Sequence, residues 1–168
     1  MNVANVPSPN FHVRHNDVLG IVIHCMEGDM AATAEWFKSG SAAAGNPVSA
    51  HYGVARDGSV VKYVEETDVA YHAGRVDGAT ARLVLDRPGV NPNLFTIGIE
   101  HEGDGSSDLT DAQRASSIAL IRDICIRHGI AIDRDHVVGH HEIFSPKTCP
   151  DAIDVDRLVA EASEQAAA

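Results

Sequence analysis

Two histidines and a cysteine in this chain have the chemistry of metal donors. His24 closes the apolar run Ile21-Val22-Ile23, His140 follows Val138-Gly139, and Cys149 lies in the turn Lys147-Thr148-Cys149-Pro150. Two imidazoles and one thiolate make three protein ligands, the number that catalytic zinc takes while leaving a fourth place for water. Glu100 ends another apolar run, Thr96-Ile97-Gly98-Ile99. A carboxylate there is costly unless it is paired or used, and it could take the proton of an attacking water. Lys147 stands two residues before Cys149, so in extended chain the two share a face. A lysine there can stabilise negative charge developing on a carbonyl oxygen. The competing readings are a salt bridge from Glu100 to Arg56 or Arg82, a solvated Lys147 and a core His24.

Other residues compete for these roles. His141 rivals His140, because neighbours on a strand point opposite ways and only one can ligate with ease. Glu142 shares a face with His140 and could fix its ring through a hydrogen bond. His51 and Tyr52 open a strand, and His72 precedes a long loop; each is a candidate for substrate contact or for packing. Cys25 and Cys125 read as buried small hydrophobes. An odd count of three cysteines without regular spacing is no disulfide framework.

The elements that must position these residues follow from pattern. Leu19 to His24 is a continuous apolar run, as in a strand buried on both faces. Asp29 can cap a helix to about Ser39, with Trp36 and Phe37 inward and Gly40 as its stop. Arg56-Asp57-Gly58-Ser59 separates two strand-like runs, 50–55 and 60–64, a hairpin signal. Residues 73–93, rich in Gly, Asp, Arg, Pro and Asn, read as a long loop of functional type. Phe95 to His101 is a strand. Thr110 and Gln113 form a capping box for a helix to His128, stopped by Gly129. Its inward stripe is Ile118, Ile121 and Ile124 or Cys125, with His128 as a candidate extension. Val137 to Gly139 is a short strand that delivers His140. Asp154 opens a last helix with Val155, Leu158, Val159 and Ala162 inward, and residues 163–168 are expected to fray. Strands alternating with helices around a hairpin imply an α/β fold: a central mixed sheet flanked by helices.

The bulk properties narrow the function. At 168 residues one domain is expected, a surface segment over 1–17 followed by a catalytic domain over 18–168. The net charge of −11 argues against nucleic acid as the main partner and against adhesion to an anionic surface. No apolar run is long enough to span a membrane. The N-terminus lacks the pattern of a secretory signal, so synthesis in the cytoplasm, or a domain of a longer chain, is expected.

The ordered set Val22-Ile23-His24, Ser49-Ala50-His51-Tyr52, Asp57-Gly58, Tyr71-His72-Ala73-Gly74, Ile97-Gly98-Ile99-Glu100 and Gly139-His140-x-Glu142 through Lys147-x-Cys149-Pro150 resembles the zinc-dependent N-acetylmuramoyl-L-alanine amidases that share a fold with peptidoglycan recognition proteins. The resemblance covers roughly residues 18–160. It implies a zinc ion held by His24, His140 and Cys149, a water-activating Glu100, a carbonyl-polarising Lys147 and His72 in the substrate groove. The substrate it implies is bacterial peptidoglycan, cut between N-acetylmuramic acid and L-alanine. A monomer with no nucleic-acid or membrane partner is expected. It departs from the family pattern at Ala50, where some members carry a catalytic tyrosine, and at Asp151, where Cys-Pro-Gly is common. The spacing from His140 to Cys149 is one residue longer than in many relatives. Recycling members often use aspartate as third ligand, so Cys149 leans towards a lytic enzyme of phage type, released to the wall through membrane lesions. The alternatives are a binding-only wall module, a closed structural zinc site completed by His141 or Asp151, and a cytoplasmic recycling amidase.

Overall fold

The computed structural model describes residues 2–164. In chain order its strands are β1 (Val3–Asn5), β2 (Phe11–Val13), β3 (Gly20–Cys25), β4 (Tyr52–Val54), β5 (Val60–Lys62), β6 (Asp68–Ala70), β7 (Thr96–His101) and β8 (Val137–Gly139). Its α-helices are α1 (Met30–Glu35), α2 (Ser41–Ala43), α3 (Arg82–Leu85), α4 (Asp111–His128) and α5 (Val155–Glu164). The main sheet runs β1-β5-β4-β7-β3-β8, and β2 pairs with β6 in a second small sheet. Within the main sheet only β4 and β5, the hairpin, are antiparallel. This is the mixed α/β architecture expected from the sequence.

The apolar run of β3 is buried along its whole length between two parallel neighbours, β7 and β8. Such strands are covered on both faces, which is why no polar alternation marks them. Side chains still alternate in direction. Ile21, Ile23 and Cys25 enter the main core with Ile97, Ile99, Val137 and the inward faces of α4 and α5. Val22 points the other way, into a smaller cluster with Ala73, Val84, Val138 and Ile143. The capping box of α4 is present, with Gln113 N–H bonded to Thr110 Oγ1 at 3.1 Å. Gly129 ends that helix at φ 65°, a left-handed conformation that glycine adopts without steric cost. The inward residues expected on α5 are all buried.

Several local expectations are corrected. The first helix does not stop at Gly40: it widens into a π-helical turn over Trp36–Gly40 and continues through α2. The Phe37 carbonyl accepts from both Ser8 Oγ (2.7 Å) and Asn10 Nδ2 (2.8 Å), an intrusion of side chains into the ladder that distorts helices. Phe37 is buried, but Trp36 is 45% exposed rather than inward. The stretch 73–93 contains α3 and a 3₁₀ turn over Pro92–Leu94. The N-terminal segment forms β1 and β2, hydrogen-bonded to neighbouring strands. Of residues 163–168, Ser163 and Glu164 close α5, and 165–168 lie outside the described residues.

Tyr52 is also corrected, away from substrate contact. On β4 it faces the helical layer, and its hydroxyl donates to Glu66 Oε1 at 2.7 Å. Glu66 also accepts from Arg127 and from His128 Nε2 (2.7 Å), so His128 joins this clasp rather than the apolar stripe. Burial would raise the Glu66 carboxyl, but the bonds from Arg127, Tyr52 and His128 outweigh it and hold the pKa down to about 2. The unfolded value is about 4.3. A depressed carboxylate stabilises the fold above its unfolded pKa, and that contribution fades as pH falls through the folded pKa. Glu66→Gln should therefore lose about 1–3 kcal/mol near neutral pH. The gap to wild type should narrow as the pH falls from about 4 towards 2. Urea unfolding of both proteins across that range checks this, and a pH-independent gap would refute the clasp.

Candidate metal centre

Strand register builds the site. His24 on β3 pairs directly with Glu100 on β7, and Ile23 pairs with Gly139 on β8. His140, one residue past Gly139, thus emerges level with His24. Registered residues on parallel strands share a face, so the carboxyl ends of three adjacent strands present His140, His24 and Glu100 side by side. Ligand sites of open α/β sheets lie at this end of the strands. Cys149 is brought in by the loop after β8, which the Cys149 carbonyl ties back by accepting the His141 N–H at 2.7 Å.

His24, His140 and Cys149 are all buried, and one donor atom from each lies within 4.8 Å of the others. The rings of His24 and His140 are 4.7 Å apart between centroids, and Cys149 Sγ is 3.7 Å from His24 Nδ1. Among the described residues, five buried side-chain atoms have no hydrogen-bond partner, and two of them, His140 Nδ1 and Glu100 Oε2, belong to residues that line this site. Orphaned polar atoms of this kind are rare and call for an explanation such as an ion. The donor set fits a cation of intermediate softness: imidazole and thiolate suit zinc.

The electrostatics agree. Burial, then the neighbouring His140 and His72, push His24 well below the usual imidazole range. Burial and Lys147 lower His140 to about 4. Both rings are thus neutral, the form that ligates metal. Burial raises the Cys149 thiol, and Glu100 adds to this. A bond from the Cys25 N–H to Cys149 Sγ at 3.4 Å works the other way. Burial pushes Glu100 up to about 8, while Lys147 draws it down.

A groove of about 440 Å³ opens over these residues, lined also by Lys147, His72, Tyr71, Trp36 and Glu27. Of the expected site residues, His24, His72, Glu100, His140, Lys147 and Cys149 meet here. Neither His141 nor Asp151 belongs to the donor cluster. Asp151 instead holds a left-handed φ of 58°, the conformation that favours the glycine common at this position. Glu142 does not orient His140: its Oε2 accepts from the Gly139 N–H and from Arg134. His51 is corrected too. It is fully buried behind His72, with Nδ1 accepting from the Gly98 N–H at 3.0 Å and Nε2 beside the Asp68 carbonyl, so no surface is left for substrate.

Some supporting residues had no signal in the sequence. Asn93 Oδ1 accepts from the N–H groups of His72 and Ala73, fixing the start of the long loop. His101 bridges the His24 carbonyl and Ser117 Oγ, locking the end of β3 from behind. The only hint to Asn93 was its place in Asn91-Pro92-Asn93, a turn-forming composition.

The family model Amidase_2, N-acetylmuramoyl-L-alanine amidase, matches residues 14–152. The chain belongs to this family. It is 32% identical over 126 residues to N-acetylmuramoyl-L-alanine amidase A of Achromobacter lyticus, a stretch covering 73% of this chain and 60% of that protein. It is 37% identical over 100 residues to 1,6-anhydro-N-acetylmuramyl-L-alanine amidase AmpD of Haemophilus influenzae, covering 60% of this chain and 49% of the relative. The matched stretches therefore span less than two thirds of these relatives' lengths. Among solved structures, the crystal structure of an AmpD selenomethionine derivative superposes with a TM-score of 0.77 at 28% identity, covering 94% of this chain and 93% of the other. The amidase LysC of Clostridium intestinale shares the fold, with a TM-score of 0.69 at 18% identity over 96% and 97% of the two chains.

Gly98 shows how closely the groove floor is packed. A Cβ there would lie 2.6 Å from His72 Cγ and 2.8 Å from its Nδ1. Gly98→Ala should overpack this contact and cost about 1–3 kcal/mol. Urea unfolding measures it, and a stability equal to wild type would contradict the packing described.

Proposed function

We propose that this chain is a zinc-dependent amidase that hydrolyses the bond between N-acetylmuramic acid and L-alanine in bacterial peptidoglycan. The observation that carries this reading is the convergence of three buried donors and a partnerless carboxylate at one end of an open groove. Family membership supports it. With three donors and neither His141 nor Asp151 among them, the site has the composition of a catalytic centre rather than a closed structural one. The same completeness weighs against a binding-only module.

His24, His140 and Cys149 would hold a zinc ion, which when bound would supply Lewis acidity to the amide carbonyl and to a water of pKa about 7. Glu100 receives the proton of the attacking water and delivers it to the leaving L-alanine nitrogen. Its Oε2 is free of other partners, and Lys147 favours its ionised form. Lys147, projecting from the groove wall, balances the negative charge that gathers on the carbonyl oxygen. No tyrosine is needed at position 50.

We further propose action on polymeric wall, after phage-driven release, because Cys149 stands where recycling relatives often carry aspartate. The second reading, a soluble recycling substrate, is favoured by the likeness to AmpD. Initial rates on intact sacculi against soluble anhydromuropeptides separate the two: a preference for sacculi supports the lytic role, and the reverse assigns recycling.

Glu100→Gln should leave one zinc equivalent bound and lower turnover by about 10²–10⁴-fold. Cys149→Ala should lose the metal. Metal content by mass spectrometry with peptidoglycan turnover reads both, and full activity in Glu100→Gln would remove Glu100 from the role of base.

A further inference from the structure

We propose that His72 is a positioning residue: a chain of hydrogen bonds starting at the Pro92 carbonyl sets its ring, and His72 in turn presents Nδ1 of His24 to the metal. The proposal rests on the zinc reading above, and it replaces substrate contact as the main duty of His72.

The direction of the chain follows from what each atom can donate. Thr96 Oγ1 lies 2.7 Å from the Pro92 carbonyl. A carbonyl only accepts, so the single hydroxyl proton is committed there. Thr96 Oγ1 can then only accept from His72 Nε2, at 3.4 Å. His72 Nε2 therefore carries a proton, and the neutral ring leaves Nδ1 as an acceptor. His72 Nδ1 is 3.1 Å from His24 Nε2, so the proton of that contact belongs to His24. A neutral His24 protonated on Nε2 has its free lone pair on Nδ1, the nitrogen facing Cys149 Sγ. Outer partners of this kind fix tautomer and ring orientation of metal-bound histidines.

The His72 ring is held for this duty from two further sides. Gly98 gives it a floor that a Cβ would obstruct, and Asn93 Oδ1 fixes its backbone N–H. The opposite polarity, with His24 protonated on Nδ1, would need Thr96 to donate to His72 and leave the Pro92 carbonyl without that bond.

The test measures zinc affinity by chelator competition, together with ring tautomers by two-bond nitrogen–proton correlation on metal-free, histidine-labelled protein. His72→Phe should weaken zinc binding about 10–100-fold. His72→Asn, whose Oδ1 can take the place of Nδ1 as acceptor, should recover most of it. In wild type the His24 proton should be on Nε2. Should His72→Phe fail to fold, Thr96→Val, which removes the oxygen accepting from His72, should still weaken binding several-fold. A His24 proton on Nδ1, or equal zinc affinity in the folded variants, would overturn the relay while leaving the zinc reading intact. Wild type that binds no zinc would overturn the zinc reading itself.

Discussion

Backbone hydrogen bonds from β3 to its two parallel neighbours hold His24, Glu100 and the chain entering His140 at one level. A slip of one residue on β3 would turn His24 into the helical core and Ile23 into the groove, because side-chain direction reverses at each step. The apolar residues of β3 and β7 forbid that slip. Burial of Ile21, Ile23, Ile97 and Ile99 against α4 and α5 is thus what fixes the polar groups on the opposite face. Here the core and the candidate site are two faces of the same strands.

The opposite face carries groups that are costly to bury. Two imidazoles, a thiol and a carboxylate crowd together, and burial disfavours every charged form among them. Hydrogen bonds limit part of that cost: Cys25 N–H serves Cys149, and His72 serves His24. His140 Nδ1 and Glu100 Oε2 are left without protein partners. Structures keep few such atoms, and a cation with a polarised substrate is the environment in which both find use. The long segment between β6 and β7 contributes by supplying His72 and the Asn93 that anchors it.

Much of this was legible in the sequence, because the residues concerned sit on strong patterns. The unbroken apolar runs announced β3 and β7, and their terminal His24 and Glu100 followed from the cost of placing polar groups there. The α4 capping box is local chemistry and was readable as such. Tyr52 and His51 were misjudged because both lie at a strand start where either face is plausible, and only the register of β4 with β5 and β7 decides which layer each enters. The widened helix after Glu35 depends on Ser8 and Asn10 reaching a carbonyl 29 and 27 residues away. No local pattern encodes such a contact. The choice of His140 over His141 likewise rests on the turn after β8, which buries one ring and leaves the other exposed.

The central claim is tested most directly by identifying the bond that is cut. Purified peptidoglycan is incubated with the protein, with and without a zinc chelator, and the products are analysed by mass spectrometry. The account predicts stem peptides with a free L-alanine amino terminus, absent under chelation and restored by added zinc. Cleavage at any other bond, or the same products unaffected by chelation, would contradict it.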